Sequence, residues 1–159
     1  HKVRLIRKNM ERLGVADRVM ARQLDARQVD DYFTDESFDK ILVDAPCSGI
    51  GLIRRKPEIR YDKTSSTSSR LHEIQGAILN AVAPKVKKGG IIVYSTCTIL
   101  QEENEHTVQT FLAHHPNFKL LKTRTARAIK ADRQQKTLTI LPSDYGSDGF
   151  FIGTLQRIK

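Results

Sequence analysis

Apolar positions at Val3, Ile6, Met10 and Leu13 recur at helical spacing and predict a helix over residues 2–14, with Gly14 as its stop. Residues 18–25 alternate imperfectly and read as a short strand. Residues 30–39 are polar around Tyr32, Phe33 and Phe38, and predict a loop or helical turn. The dense apolar run over 40–44, closed by a turn at Pro46, fits a strand buried on both faces, as in a parallel sheet. Residues 48–69 show no regular element, and 64–69 form the one low-complexity patch. Leu71, Ile74, Ile78, Leu79 and Val82 then share one stripe, predicting a helix over 70–84 that Lys88-Gly89-Gly90 would end. A second buried strand follows over 91–97, and a helix over 102–115 turns Val108, Phe111 and Leu112 inward. Its Glu102, Glu103 and Glu105 lie in the first turn, where the helix dipole favours anions. Strands are expected at 118–122 and 149–158, with a basic mobile loop at 123–147. This order defines an α/β domain with right-handed crossovers, spanning 1–159 without a division.

Composition narrows the classes. The 159 residues suit one compact domain, and 39 % apolar content can build a core. No stretch approaches the roughly 20 apolar residues of a membrane span. Two cysteines exclude a disulfide-dense scaffold and a four-thiolate zinc site within this chain. His72, His106, His114 and His115 lack metal-binding spacing and read as surface residues, so no metal is expected. The net charge of +9 favours polyanionic partners. Arg54, Arg55, Lys56 and Arg60 cluster just after a glycine-bearing turn, whereas the basic residues between Lys119 and Lys136 are spread out, as on a solvated face. The chain opens with His1 directly in a helical pattern and shows no signal peptide, so it is read as a segment of a longer protein.

The chemically loaded segments are Asp44-Ala45-Pro46-Cys47-Ser48-Gly49 and Ser95-Thr96-Cys97-Thr98. Each follows a buried strand, and in open parallel sheets the carboxyl ends of the strands form the ligand-binding edge. If the two strands are neighbours, two thiols and one carboxylate meet at one rim. Against this stands the commoner case of a cysteine as a small buried hydrophobe, and a structural disulfide is a third possibility.

These two motifs, with Arg54-Arg55-Lys56-Pro57-Glu58-Ile59, Gly89-Gly90, Glu103-Asn104 and Asp148-Gly149-Phe150-Phe151, stand in an order and spacing that resembles the RNA cytosine-5 methyltransferases. The likeness is greatest to the RsmB-type enzymes of small-subunit ribosomal RNA and runs over nearly the whole chain.

The resemblance implies a cytoplasmic enzyme of the class I, Rossmann-like fold that uses S-adenosylmethionine and acts on ribosomal RNA. Cys97 would be the nucleophile that adds to cytosine C6, and Cys47 would assist release of the product. Asp44 would bond the cytosine edge, stabilise charge at N3 and lie among the cofactor-facing residues. Asp25 matches a position that contacts the cofactor adenine, although Leu24 stands where the family carries glycine, and an acidic residue at a strand end reads equally well. Arg54 and Arg55 would bind RNA phosphates near a flipped base, with an uninvolved surface pair as the alternative. Tyr94 reads as core, as does one of Phe150 and Phe151.

The glycine-rich cofactor loop of this family has no counterpart in the chain, nor does the acidic residue that grips the ribose. The expectation is therefore a partial fold lacking its first two strands, with weak or no cofactor binding and no activity on its own. The remaining sheet would run from the 40–44 strand to the 91–97 strand, then to 149–158 and 118–122. The 18–25 strand would be displaced, disordered or paired with another chain, leaving the 40–44 strand with an open edge. A non-catalytic RNA-binding module derived from such an enzyme is the alternative. A dithiol redox protein or cysteine hydrolase finds less support, because no CxxC pair is present and no histidine lies near either cysteine in sequence.

Overall fold

The structure is a computed structural model that describes residues 1–62 and 65–159. Thr64, in the low-complexity patch, lies outside the described residues. The elements are α1 (Lys2–Arg12), β1 (Phe38–Asp44), the single turn α2 (Ile59–Asp62), α3 (Ser65–Val82), β2 (Val86–Thr96), α4 (Glu105–His114), β3 (Phe118–Leu121), β4 (Leu138–Ile140), α5 (Pro142–Tyr145) and β5 (Phe150–Arg157).

The sheet runs β1-β2-β5-β3, with β4 also on β5. β1 and β2 are parallel, with Val43 opposite Tyr94 and Asp44 opposite Ser95. β5 is antiparallel to β2 and to β3, so it alone reverses the direction of this path. The order matches the sequence expectation for these four strands. β3 covers Thr154–Arg157 on one edge of β5 and β4 covers Phe150–Ile152 on the same strand, so two short strands share one long partner.

Alternation on β5 explains its place in the core. Phe151 and Leu155 are fully buried, and Leu155 lies opposite Ile92, itself fully buried. Leu79 and Val82 of α3 and Val108 and Phe111 of α4 close the same core. Removing this apolar surface from water is the main stabilising term, about 25 cal/mol per Å². Tyr94 is fully buried and its ring meets Phe151 edge-on at 6.2 Å between centroids.

Several local expectations are corrected. Residues 18–25 form no strand: a strand needs a ladder partner, and no backbone hydrogen bond from 19–24 reaches one. Asp25 instead caps a 3-10 helix over Ala26–Asp31. The helix predicted over 70–84 begins at Ser65 and ends at Val82, because Pro84 sits in a 3-10 turn and β2 already starts at Val86, ahead of the glycine pair. The 123–147 stretch holds β4 and α5, and Lys130 and Arg133 within it turn back on backbone carbonyls, while Arg124, Arg127 and Lys136 are exposed. Lys122 Nζ donates to the carbonyls of Ala131 and Arg133, and the Arg133 guanidinium donates to those of Thr123, Lys130, Lys136 and Thr137.

β1 has one open edge. Leu42 is 70 % exposed there, which for a strand read as buried on both faces marks apolar surface without a cover. α1 likewise leaves Leu5 and Ile6 exposed, as is Leu13 just past its end, and buries only Met10.

Candidate active site: two cysteine turns on one rim

β1 and β2 deliver both loaded turns to the same edge because they are adjacent and parallel. The Cys47 and Cys97 sulfurs lie 3.1 Å apart, both as free thiols and both half-buried. The Cys97 N–H donates to Cys47 Sγ at 3.3 Å. Burial first, then its hydrogen bond and proximity to Cys97, push the Cys47 thiol up to about 12, so it stays protonated at neutral pH. Among the described residues neither sulfur bonds to a histidine, so the hydrolase pairing finds no geometry here.

Each turn is pinned by a different buried side chain of one short segment. Glu103 is fully buried, and its Oε2 accepts the Ser48 N–H at 2.8 Å and Gln75 Nε2 at 3.2 Å. Its Oε1 accepts from Ser68 Oγ at 3.3 Å, and Gln75 Nε2 also donates to Pro46 O at 2.9 Å. The next residue, Asn104, accepts from Thr96 Oγ1 at 2.6 Å and donates Nδ2–H to Thr98 O at 3.0 Å, bracketing Cys97. A hydroxyl pair, Ser48 Oγ and Thr98 Oγ1 at 2.8 Å, ties one turn to the other. The Tyr94 hydroxyl donates to Glu103 O at 2.6 Å, and burial raises its pKa.

Sequence reasoning placed Glu103 in the first turn of a helix over 102–115, where the dipole favours anions. In the structure α4 begins at Glu105, and residues 101–104 are wound beneath the two cysteines. A carboxylate three residues after an apolar pair gives no periodic signal, so only the tertiary fold reveals its burial. His72, read as a surface residue, is half-buried, with Nδ1 within 2.9 Å of Glu102 O and 2.8 Å of Thr107 Oγ1. His115 is also half-buried and stacks on Phe111. Ser48, Tyr94 and Phe151 are buried, Ser48 through the hydroxyl pair described above.

Asp44 stands exposed at the carboxyl end of β1, where Ser95 Oγ donates to its Oδ1 at 3.3 Å. Asp25 is bound up differently. Its Oδ1 accepts from the Arg27 N–H and Nε–H at 3.0 Å each, and its Oδ2 from Nη2 at 2.6 Å. These bonds hold its carboxyl down to about 2. Arg54 and Arg55 are both exposed, but not equivalent. Arg55 grips Asp148 bidentately, Nε to Oδ1 at 3.1 Å and Nη2 to Oδ2 at 2.5 Å. Among the described residues Arg54 makes no ion pair, and it lines an open pocket with Arg55, Gly146, Ser147 and Asp148. The pocket is tied to the thiol rim through Gly51, whose N–H donates to Cys97 O at 3.0 Å and whose carbonyl accepts the Gly149 N–H at 2.8 Å.

Comparison with solved structures first defines the class. The chain superposes on NSun6 from Pyrococcus horikoshii, solved with SFG, with a TM-score of 0.77 and 29 % identity, covering 99 % of this chain and 39 % of that one. A methyltransferase homologue from the same organism gives 0.75 and 27 %, covering 98 % of this chain and 50 % of that one. The sheet is thus a partial class I methyltransferase fold. The family model of the 16S rRNA methyltransferases RsmB/F matches residues 1–156, and the chain belongs to that family. It is 45 % identical to the probable ribosomal RNA small subunit methyltransferase B of Bacillus subtilis, over 99 % of this chain and 36 % of that protein. It is 40 % identical to ribosomal RNA small subunit methyltransferase B of Yersinia enterocolitica, over 96 % and 33 %. The chain therefore spans about a third of the length of these relatives.

The implied cofactor, S-adenosylmethionine, can be tested against the carboxylates present. Asp44 fits a polar contact to it: the side chain is exposed, sits on the rim of the thiols and accepts a single long bond from Ser95. Asp25 fits less well, because Arg27 occupies both of its oxygens and would have to exchange.

Proposed function

We propose that this chain is the cysteine-bearing part of an S-adenosylmethionine-dependent RNA cytosine-5 methyltransferase acting on ribosomal RNA. The observation that carries the reading is the 3.1 Å approach of Cys47 and Cys97 on the carboxyl rim of two adjacent parallel strands, with Asp44 at the same rim. A structural dithiol needs no exposed carboxylate beside it, whereas Asp44 stands exposed at this rim.

Cytosine C5 is a weak nucleophile. Cys97 gives up its thiol proton to water, its Sγ adds to C6, and the C5=C6 pair moves to C5, making it enamine-like. S-adenosylmethionine, when bound, supplies the methyl group that C5 takes. Asp44 accepts from the exocyclic amino group of the cytosine edge and from a proton taken up at N3 from water, and that proton offsets the electron density the addition pushes onto the ring. Release reverses the addition: the C5 proton passes to water, its bonding pair rebuilds C5=C6, and the Sγ–C6 pair returns to Cys97. Cys47, held as a thiol, donates to that departing sulfur. The target base must leave its stack to reach this rim, and the exposed Arg54 is placed to hold backbone phosphate beside it.

The test is covalent trapping in the full-length protein with cofactor and RNA carrying 5-fluorocytosine, read as a denaturant-stable complex. Cys97→Ala abolishes the complex. With ordinary RNA, Cys47→Ala allows it to accumulate, because release is impaired. Trapping by the Cys97→Ala variant, or none by the parent, overturns the proposal.

A further inference from the structure

We infer that the neighbouring residues Glu103 and Asn104 are positioning residues with opposite kinetic duties, Glu103 for the Cys47 turn and Asn104 for the Cys97 turn. The inference deepens the methyltransferase reading, and its kinetic arm rests on that reading.

The division follows from the bonds. Glu103 touches the Cys47 side alone, through the Ser48 N–H and through Gln75, which holds Pro46 O. Asn104 touches the Cys97 side alone, through Thr96 Oγ1 and Thr98 O. Both are buried, at 0 % and 1 % exposure. A buried carboxylate without a cationic partner is expensive to keep, and among the described residues Glu103 has none. Its donors are one backbone N–H, one amide and one hydroxyl, which makes it an acceptor built around the Ser48 peptide. Asn104 is matched to its site in another way. It must accept from a hydroxyl and donate to a carbonyl at once, which an amide does and a carboxylate does not.

Shape and charge can therefore be separated. Glu103→Gln keeps the bonds to the Cys47 turn: its carbonyl accepts from Ser48 and Gln75, and its amide donates to Ser68 Oγ, reversing the direction of that one bond. Glu103→Ala leaves the Ser48 N–H unpaired and frees the Cys47 turn. Asn104→Asp keeps the size but sets a carboxylate oxygen against Thr98 O, disturbing the Cys97 turn.

Two readouts test this on the full-length protein. The first is the iodoacetamide labelling rate of each cysteine, resolved by peptide mass spectrometry without RNA or cofactor. Glu103→Ala raises the Cys47 rate about tenfold and leaves Cys97 within about twofold; Asn104→Asp alters Cys97 and spares Cys47. The second is the covalent complex with ordinary RNA. Glu103→Ala accumulates it as loss of Cys47 would, Asn104→Asp forms the trapped complex more slowly on RNA carrying 5-fluorocytosine, and Glu103→Gln behaves like the parent on both RNAs. If Glu103→Ala does not fold, the milder Glu103→Asp, one methylene short of Ser48, replaces it in both assays. Equal changes at both cysteines, or Glu103→Gln as impaired as Glu103→Ala, overturn the inference. Should no variant form a complex while labelling still separates the two cysteines, the methyltransferase reading fails and the positioning stands.

Discussion

Gly51 is where the fold concentrates steric demand, and replacing it by alanine tests how the thiol rim is assembled. A methyl group there would lie 2.4 Å from Gly149 O, 2.6 Å from Cys97 O and 2.8 Å from Gly149 C. All three are backbone atoms, so no side-chain rotation relieves the contact. The same residue bonds both neighbours, its N–H to Cys97 O and its carbonyl to the Gly149 N–H. Overpacking of this kind costs about 1–3 kcal/mol. Stretching the two bonds adds about 1 kcal/mol or less for each. We expect Gly51→Ala to lose about 2–4 kcal/mol, a large share of a typical 5–15 kcal/mol. At about 2–4 °C per kcal/mol for a chain of this size, Tm falls by roughly 10 °C. The control is Gly76→Ala. Gly76 lies within α3 with nothing within 4 Å of the added Cβ, so helix propensity raises stability by about 0.5–1 kcal/mol. Urea unfolding followed by circular dichroism measures both. A Gly51→Ala protein within about 0.5 kcal/mol of the parent, or a Gly76→Ala protein that loses as much, refutes the reasoning.

The two arginines should differ in their effect on RNA. Arg55 is neutralised by Asp148, whereas Arg54 has no such pair among the described residues, so Arg54→Ala weakens binding of a ribosomal RNA fragment more than Arg55→Ala and lowers the slope of log K against log salt by about 1, as measured by fluorescence anisotropy. Equal losses would show that the Asp148 pair opens on binding. Alkaline stability should carry a signature of Cys47, whose thiol ionises near 9.0 when unfolded and near 12 when folded. The folded state thus holds a proton that the unfolded chain releases, so stability is whole below pH 9 and falls as pH rises from 9 to 12. Cys47→Ser should flatten the decline in thermal unfolding midpoints across that window, and an unchanged slope would show that the thiol is not held protonated.

β2 and β5 were legible because their alternation reports burial directly, whereas the apolar density of 40–44 overstated burial: β1 buries Val43 and leaves Leu42 exposed. β5 shows this in Phe151 and Leu155, and β2 in Ile92 and Tyr94. Residues 18–25 misled because imperfect alternation records side-chain preference and says nothing about whether a ladder partner exists. The 123–147 segment was illegible for another reason. Its order comes from Lys122 and Arg133 donating to distant carbonyls, and such bonds have no periodicity.

For the candidate site, linear order carried the residue types: two cysteines, each just beyond an apolar run, and an aspartate before one of them. Parallel pairing of those runs was a reasonable expectation from the same pattern. The tertiary structure decided what distance in sequence conceals. Fifty residues of separation became a 3.1 Å contact between sulfurs. Glu103 and Asn104, a motif pair with no role assigned from the chain alone, became the two supports of the turns. Local sequence sets the conformational preference of a segment, whereas burial and hydrogen-bond satisfaction depend on what the rest of the chain brings to it.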